Sequence, residues 1–280
     1  RVFIEHNNNA ENNVKFNVFG TVKSEASLLS VTQLLDGLGD VAGGINIFKV
    51  DFTDRDVENE PIWDNEFDIV VHSAAMLGTA KASNTEKGKQ VGEKFSPTGF
   101  YSSNVLGTAR LYEILNKKSK VLKKLIYISS GDVYGVDGTV SETALPLPKS
   151  AYAVSKYAGE ILTRMFGRKT SVSTVILRIG SIYGPGQRDR KGPNAFIQDI
   201  LSNNLVQIYG DGKQLRNFPY VKDVADVIIK SIFRDCACKN AASSWATAPK
   251  FRSGRNELCS SSLTSLANLK RGGISSSSAS

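Results

Sequence analysis

Between residues 14 and 233, short apolar runs alternate with longer segments whose apolar positions recur every three or four residues. The short runs are Val14–Phe19, Ile45–Val50, Phe67–His72, Lys124–Ser129 and Ser173–Ile179. Each is rich in β-branched and aromatic residues and bounded by polar or glycine-rich turns, the pattern of a strand. The longer segments, Ser24–Leu38, Ser103–Lys117, Ala151–Phe166 and Asn194–Ser202, read as amphipathic helices. In the second of them Leu106, Ala109, Leu111, Ile114 and Leu115 fall on one stripe. Repeated β-α-β order predicts an α/β fold with a doubly wound parallel sheet covered on both faces. The nearly continuous apolar run Asp68–His72 suits a strand buried on both sides.

The ends break this pattern. Residues 1–13 read as the end of a helix and an asparagine-rich exit, whereas residues 234–280 hold 12 serines and no helical or strand periodicity. That composition predicts a low-complexity, disordered tail. The net charge is +8, but seven Lys/Arg against two acids put +5 of it in the tail, leaving +3 for residues 1–233. A mildly basic body without aromatic-basic interleaving argues against a nucleic-acid partner. All three cysteines also lie in the tail, and the chain has two histidines, His6 and His72. Neither a disulfide framework nor a metal site is expected. No apolar run approaches the ~20 residues that span a bilayer. The expectation is a soluble, cytoplasmic protein without a membrane partner, although residue 1 is Arg and a targeting segment could lie upstream.

Candidate chemistry centres on Tyr152-Ala-Val-Ser-Lys156. Residues four apart share a helix face, so phenol and ammonium can meet in one site. A nearby cation favours the phenolate of a tyrosine whose ordinary pKa is about 10, making it a usable base. Tyr209-Gly-Asp-Gly-Lys213 has the same spacing, but its glycines break the helix that would align the pair. Upstream, Ile126–Gly135 is a strand running into a hydroxyl-rich turn, and ligands of such sheets sit at strand carboxyl ends. Ser130 is thereby placed to hydrogen-bond a reacting oxygen near Tyr152.

Seven motifs in order over about residues 14–233 resemble the NAD-dependent epimerase/dehydratase group of the extended short-chain dehydrogenase/reductases. They are Asp51-Phe-Thr-Asp54, Phe67–Ala75, Asn104-Val-Leu-Gly-Thr108, Ser129–Gly135, Tyr152–Lys156, Leu177–Gly186 and Tyr209–Phe218. The resemblance implies a Rossmann-like domain at 1–180, a partial substrate-binding region at 181–233 and the tail at 234–280. It implies Tyr152 as general acid/base, Lys156 as its electrostatic partner and ribose anchor, and Ser130 as third member. It further implies Asp51 and Phe52 at the adenine, Ala74, Ala75 and Met76 along the cofactor, Asn104 at the helix entry, and Gly180 beside the nicotinamide. Arg216 matches an arginine that clamps a nucleotide-sugar diphosphate, a role suited to a guanidinium fork. A homodimer through the Asn104–Lys117 and Ala151–Phe166 helices is the family habit.

Some positions depart from the family pattern. With Val14–Phe19 as second strand, the first strand and its glycine-rich phosphate loop would precede residue 1, so the fragment itself is expected to fold or bind dinucleotide poorly. Phe19-Gly-Thr-Val-Lys23 lacks the acid that marks NAD preference, and Lys23 could meet a 2′-phosphate, leaving both NAD and NADP open. Gly131-Asp132 lacks the first acid of the dehydratases' Asp-Glu pair. Ser181 stands where nucleotide-sugar enzymes often carry Asn, Asn217 where Asp follows the arginine, and Met76–Ser103 forms a long polar insertion. The leading reading is a nucleotide-sugar epimerase working by transient oxidation. The alternatives are an NADP(H)-dependent reductase of a ketone or hydroxysteroid-like substrate, and an inactive truncated family member.

Overall fold

A computed structural model describes residues 17–37, 44–77, 97–136, 140–141, 143–187, 192–206, 208 and 217–233, with the backbone of 242–244. Strands are β1 (Val18–Val22), β2 (Ile45–Lys49), β3 (Ile69–His72), β4 (Lys124–Ser130), β5 (Ser173–Ile179) and β6 (Ala242–Ser244). Helices are α1 (Glu25–Asp36), α2 (Thr98–Phe100), α3 (Gly107–Lys118), α4 (Ala151–Lys169), α5 (Pro193–Leu201) and α6 (Val221–Phe233). A π-helical segment, Tyr101–Leu106, joins α2 to α3 without leaving helical backbone angles.

All strand pairs are parallel, as the alternation predicts. They form one sheet of order β1-β2 and a second of order β3-β4-β5-β6. In the doubly wound order 3-2-1-4-5-6, β1 and β2 take positions 2 and 3, and β3 to β5 take positions 4 to 6. Position 1, between β1 and β3, is filled by no strand among the described residues. Burial follows the same line. β4 and β5 are almost wholly buried, β3 buries only His72, and β1 buries no residue fully.

Local sequence explains the helix ends near the site. Ser24 caps α1, its Oγ accepting the Ser27 amide, with Glu25 in the first turn. Ser150 caps α4 by accepting the Ala153 amide at 3.1 Å, and Arg168 and Lys169 close the last turn. One core cluster packs Leu111, Leu115, Leu122, Leu125 and Phe166 between α3, α4 and β4. A second, on the other face, packs Ile126, Val175, Leu177, Val224 and Val227 between β4, β5 and α6.

Three features differ from the sequence reading. β1 runs on to Val22 because its register with β2 continues to Val22 opposite Lys49; residues 14–16 lie outside the described residues. The helix α6 was not anticipated, since its Val and Ile content reads as strand. Its Val224 and Val227, with Ile228 and Ile232, pack against the sheet, and that packing overrides propensity. β6 lies within the stretch read as a tail without strand pattern, where its backbone pairs Ala242 with Ile176.

Candidate active site

The carboxyl ends of the parallel strands gather most of the residues singled out above. Tyr152 and Lys156 lie in the first two turns of α4, placed by the Ser150 cap. Ser130 ends β4 and caps the tight turn Gly131–Tyr134, its Oγ accepting the Asp132 amide at 3.2 Å. That turn closes on Gly135, whose φ of 64° is left-handed and where a Cβ would overlap the Leu147 carbonyl. Ser130 stands close enough to Tyr152 for its hydroxyl to favour the phenolate. Phe100 packs edge-on against the Tyr152 ring at 6.2 Å.

The electrostatics differ from the simple expectation. Burial raises the Tyr152 pKa, the Ser130 hydrogen bond lowers it, and the charge of Asp132 raises it; the net direction is upward. Lys156 follows one helical turn after Tyr152. Its ammonium rests 4.3 Å above the Tyr127 ring. Burial lowers the Lys156 pKa to about 8, opposed by the charge of Glu160.

Asn104, buried in the π-helical segment, ties the loop after β3 to α4. Its Oδ1 accepts the Met76 amide at 2.7 Å, and its Nδ2 donates to the Met76 carbonyl at 3.0 Å and to Ser155 Oγ at 2.9 Å. Ser155 Oγ in turn donates to the Tyr152 carbonyl at 2.7 Å. π-Helical turns inserted into α-helices are frequent at functional sites, and here the turn carries a side chain that joins loop and helix. Ala74 is exposed on that loop and Ala75 is half-buried; Met76 is exposed too, but its backbone amide and carbonyl are both taken by Asn104.

At the β1–β2 end, Asp51 accepts from the Thr53 amide at 2.9 Å and the Thr53 hydroxyl at 2.7 Å, and pairs with Lys23 at 3.3 Å. Burial raises the Asp51 pKa, but the bonds from Thr53 and Lys23 outweigh it and the net shift is downward. Phe52 turns its ring inward, against Trp63 and His72 at 6.4 and 6.3 Å. Gly180 lies under the chain at Asn217, whose carbonyl would stand 3.0 Å from a Cβ there, and Ser181 is exposed. Arg216 lies outside the described residues, as does Tyr209–Lys213.

Beneath the site is a buried polar layer whose members had no assigned role. Glu160, fully buried, takes two bonds from Arg178 at 2.9 and 2.7 Å and one from Ser129 at 2.7 Å. Arg178 also covers the Tyr134 ring at 4.7 Å. This triad pins β4, β5 and α4 together directly under Ser130 and Lys156. One signal was readable in sequence: Glu160 lies one turn beyond Lys156 on the same face.

These features fit a dinucleotide laid across the strand ends. The Lys23–Asp51 pair would stand at its adenosine end, the loop at Ala74 and Ala75 along its middle, and Ser130, Lys156 and Gly180 at its nicotinamide end.

A model of the NAD dependent epimerase/dehydratase family matches residues 20–235. The chain belongs to this family of doubly wound, dinucleotide-binding proteins. It is similar to the dTDP-D-glucose 4,6-dehydratase of Dictyostelium discoideum, 28% identical over 238 residues, 76% of this chain and 52% of that one. A UDP-glucuronate 4-epimerase of Thermodesulfobacterium geofontis is 28% identical over 165 residues, 58% of this chain and 47% of that one. The chain thus spans about half the length of these curated relatives. Among solved structures, the UDP-glucuronic acid 4-epimerase of Bacillus cereus, in complex with UDP-glucuronic acid and NAD, superposes with a TM-score of 0.66 at 26% identity. The match covers 84% of this chain and 70% of that one.

Proposed function

We propose that the protein is an NAD-dependent nucleotide-sugar epimerase acting by transient oxidation of a sugar hydroxyl. The observation that carries this reading is the placement of Tyr152 beside Ser130, one helical turn from the buried Lys156, at the carboxyl end of β4. NAD, when bound, supplies an acceptor for the hydride of the carbinol carbon and the donor that returns it. Ser130 steadies the reacting oxygen by hydrogen bonding. Tyr152 accepts the hydroxyl proton as that carbon is oxidised, and returns it to the same oxygen when the ketone is reduced from the opposite face. No proton or hydride is consumed over the cycle. Because burial holds the phenol protonated, its base form needs positive charge nearby, and Lys156 is the cation of the same helix face.

The Lys23–Asp51 pair supports NAD over NADP, since Asp51 already engages the charge that a 2′-phosphate would use. The match to nucleotide-sugar enzymes and the guanidinium of Arg216 support a nucleoside diphosphate sugar as substrate class. A homodimer is proposed through α4, where exposed Val154, Ile161 and Met165 fall on one helix face.

The test is incubation with NAD and UDP-glucuronic acid or UDP-glucose. Absorbance at 340 nm and the sugar configuration by NMR are followed together. The expected result is inversion with no net change at 340 nm. Stoichiometric loss of NADPH with a ketone substrate would replace this reading with the reductase.

A further inference from the structure

Lys156 is buried, so its ammonium is cut off from most of the water that would solvate it. Glu160 is near, but both its oxygens are engaged by Arg178. What covers the ammonium is the face of Tyr127, itself buried, at 4.3 Å. Aromatic faces attract cations, most strongly where water is excluded.

Three features bring the ring there. The sheet register sets Tyr127 on β4 beside His72 of β3 and Ile176 of β5. Gly159, three residues after Lys156, leaves the space, because a Cβ there would overlap the Tyr127 phenol. The phenol then donates to the Lys156 carbonyl at 3.4 Å, fastening the ring to the helix at the lysine itself. The groups around the lysine are Glu160 and Tyr152 from α4, Tyr127 from β4, His72 from β3 and Arg178 from β5. His72, packed 5.5 Å from the Tyr127 ring, is neutral and adds no repulsion.

The geometry points to Tyr127 as a positioning residue: its ring face seats the Lys156 ammonium, and Gly159 is small in order to admit that ring. This rests on the reading of Lys156 as part of the working site, but the seat can be measured without turnover.

Position 127 is replaced by phenylalanine, 4-fluorophenylalanine and 3,4,5-trifluorophenylalanine, which keep the shape while weakening the face. Acylation of Lys156 in the full chain is followed by peptide mass spectrometry from pH 6 to 11. Tyr127→Phe should label as the parent does. The fluorinated rings should progressively lower the midpoint, raising the labelling rate at pH 7 by about threefold in the trifluoro variant, the size of a partly desolvated cation–π contact. Gly159→Ala, which displaces the ring, should move the midpoint the same way. An unchanged midpoint across the fluorinated series overturns the proposal, as does a shift already complete in Tyr127→Phe. Failure of the epimerase reading would leave these midpoints unmoved, so the two results are separable.

Discussion

His72 is sealed between Phe52, Tyr112 and Tyr127, with its Nε2 on Thr108 Oγ1 at 2.9 Å. Burial, and next the charge of Lys156, lower its pKa to about 3. Its ring protons should therefore show no titration between pH 5 and 8 by NMR. The unfolded chain binds a proton near pH 6.5 that the folded chain refuses, so the His72 contribution to stability is present above that pH. It is lost as pH falls toward 3, by on the order of a few kcal/mol. Glu160→Gln removes the counterion of buried Arg178 and should destabilise the fold by about 3–5 kcal/mol in urea unfolding. At this scale Tyr152, Lys156 and Ser130 were legible because their spacing and order are local. Tyr127, Arg178 and Ser155 were not, because their meaning arises only when separate strands and helices meet. Phe52 shows the reverse limit: the motif that contains it was visible, but the inward turn of its ring was not.

Helix α4 was read from its periodicity, and it begins at Ala151 as expected, where the structure adds the Ser150 cap, and runs three residues past Phe166 to Lys169. The approach to α3 is more revealing. Periodicity marked a helix from Ser103, yet Tyr101–Leu106 is π-helical, a local widening that carries no apolar signature. Asn104 sits in that widening and replaces a covalent link between the loop at Met76 and the helix bearing Tyr152. Asn104→Ala should cost about 1–3 kcal/mol in denaturant unfolding, because buried partners lose their hydrogen bonds. It should also weaken NAD binding in a calorimetric titration, since the loop backbone loses its anchor. The helix α6 escaped the sequence reading for a different reason: six Val and Ile residues in thirteen mask a helical stripe that only the sheet makes worthwhile.

For the molecule as a whole, the parallel sheet was predictable from β-α-β alternation, while the uneven burial along it was not, because burial depends on how the separate layers pack. That unevenness has a dynamic consequence. Strands buried along their length open last, and strands that bury few residues open early. Backbone amides of β1 and β3 should therefore exchange with deuterium faster than those of β4, with mass spectrometry resolving the order. Every functional proposal above depends on one proton transfer at the centre of that sheet. The most direct test is the turnover of Tyr152→Phe on the epimerised nucleotide-sugar, measured beside its circular dichroism. The account predicts a native spectrum with turnover reduced by about 10²- to 10⁴-fold, the range of a lost general acid–base. Turnover within a few-fold of the parent, with the spectrum intact, would contradict it.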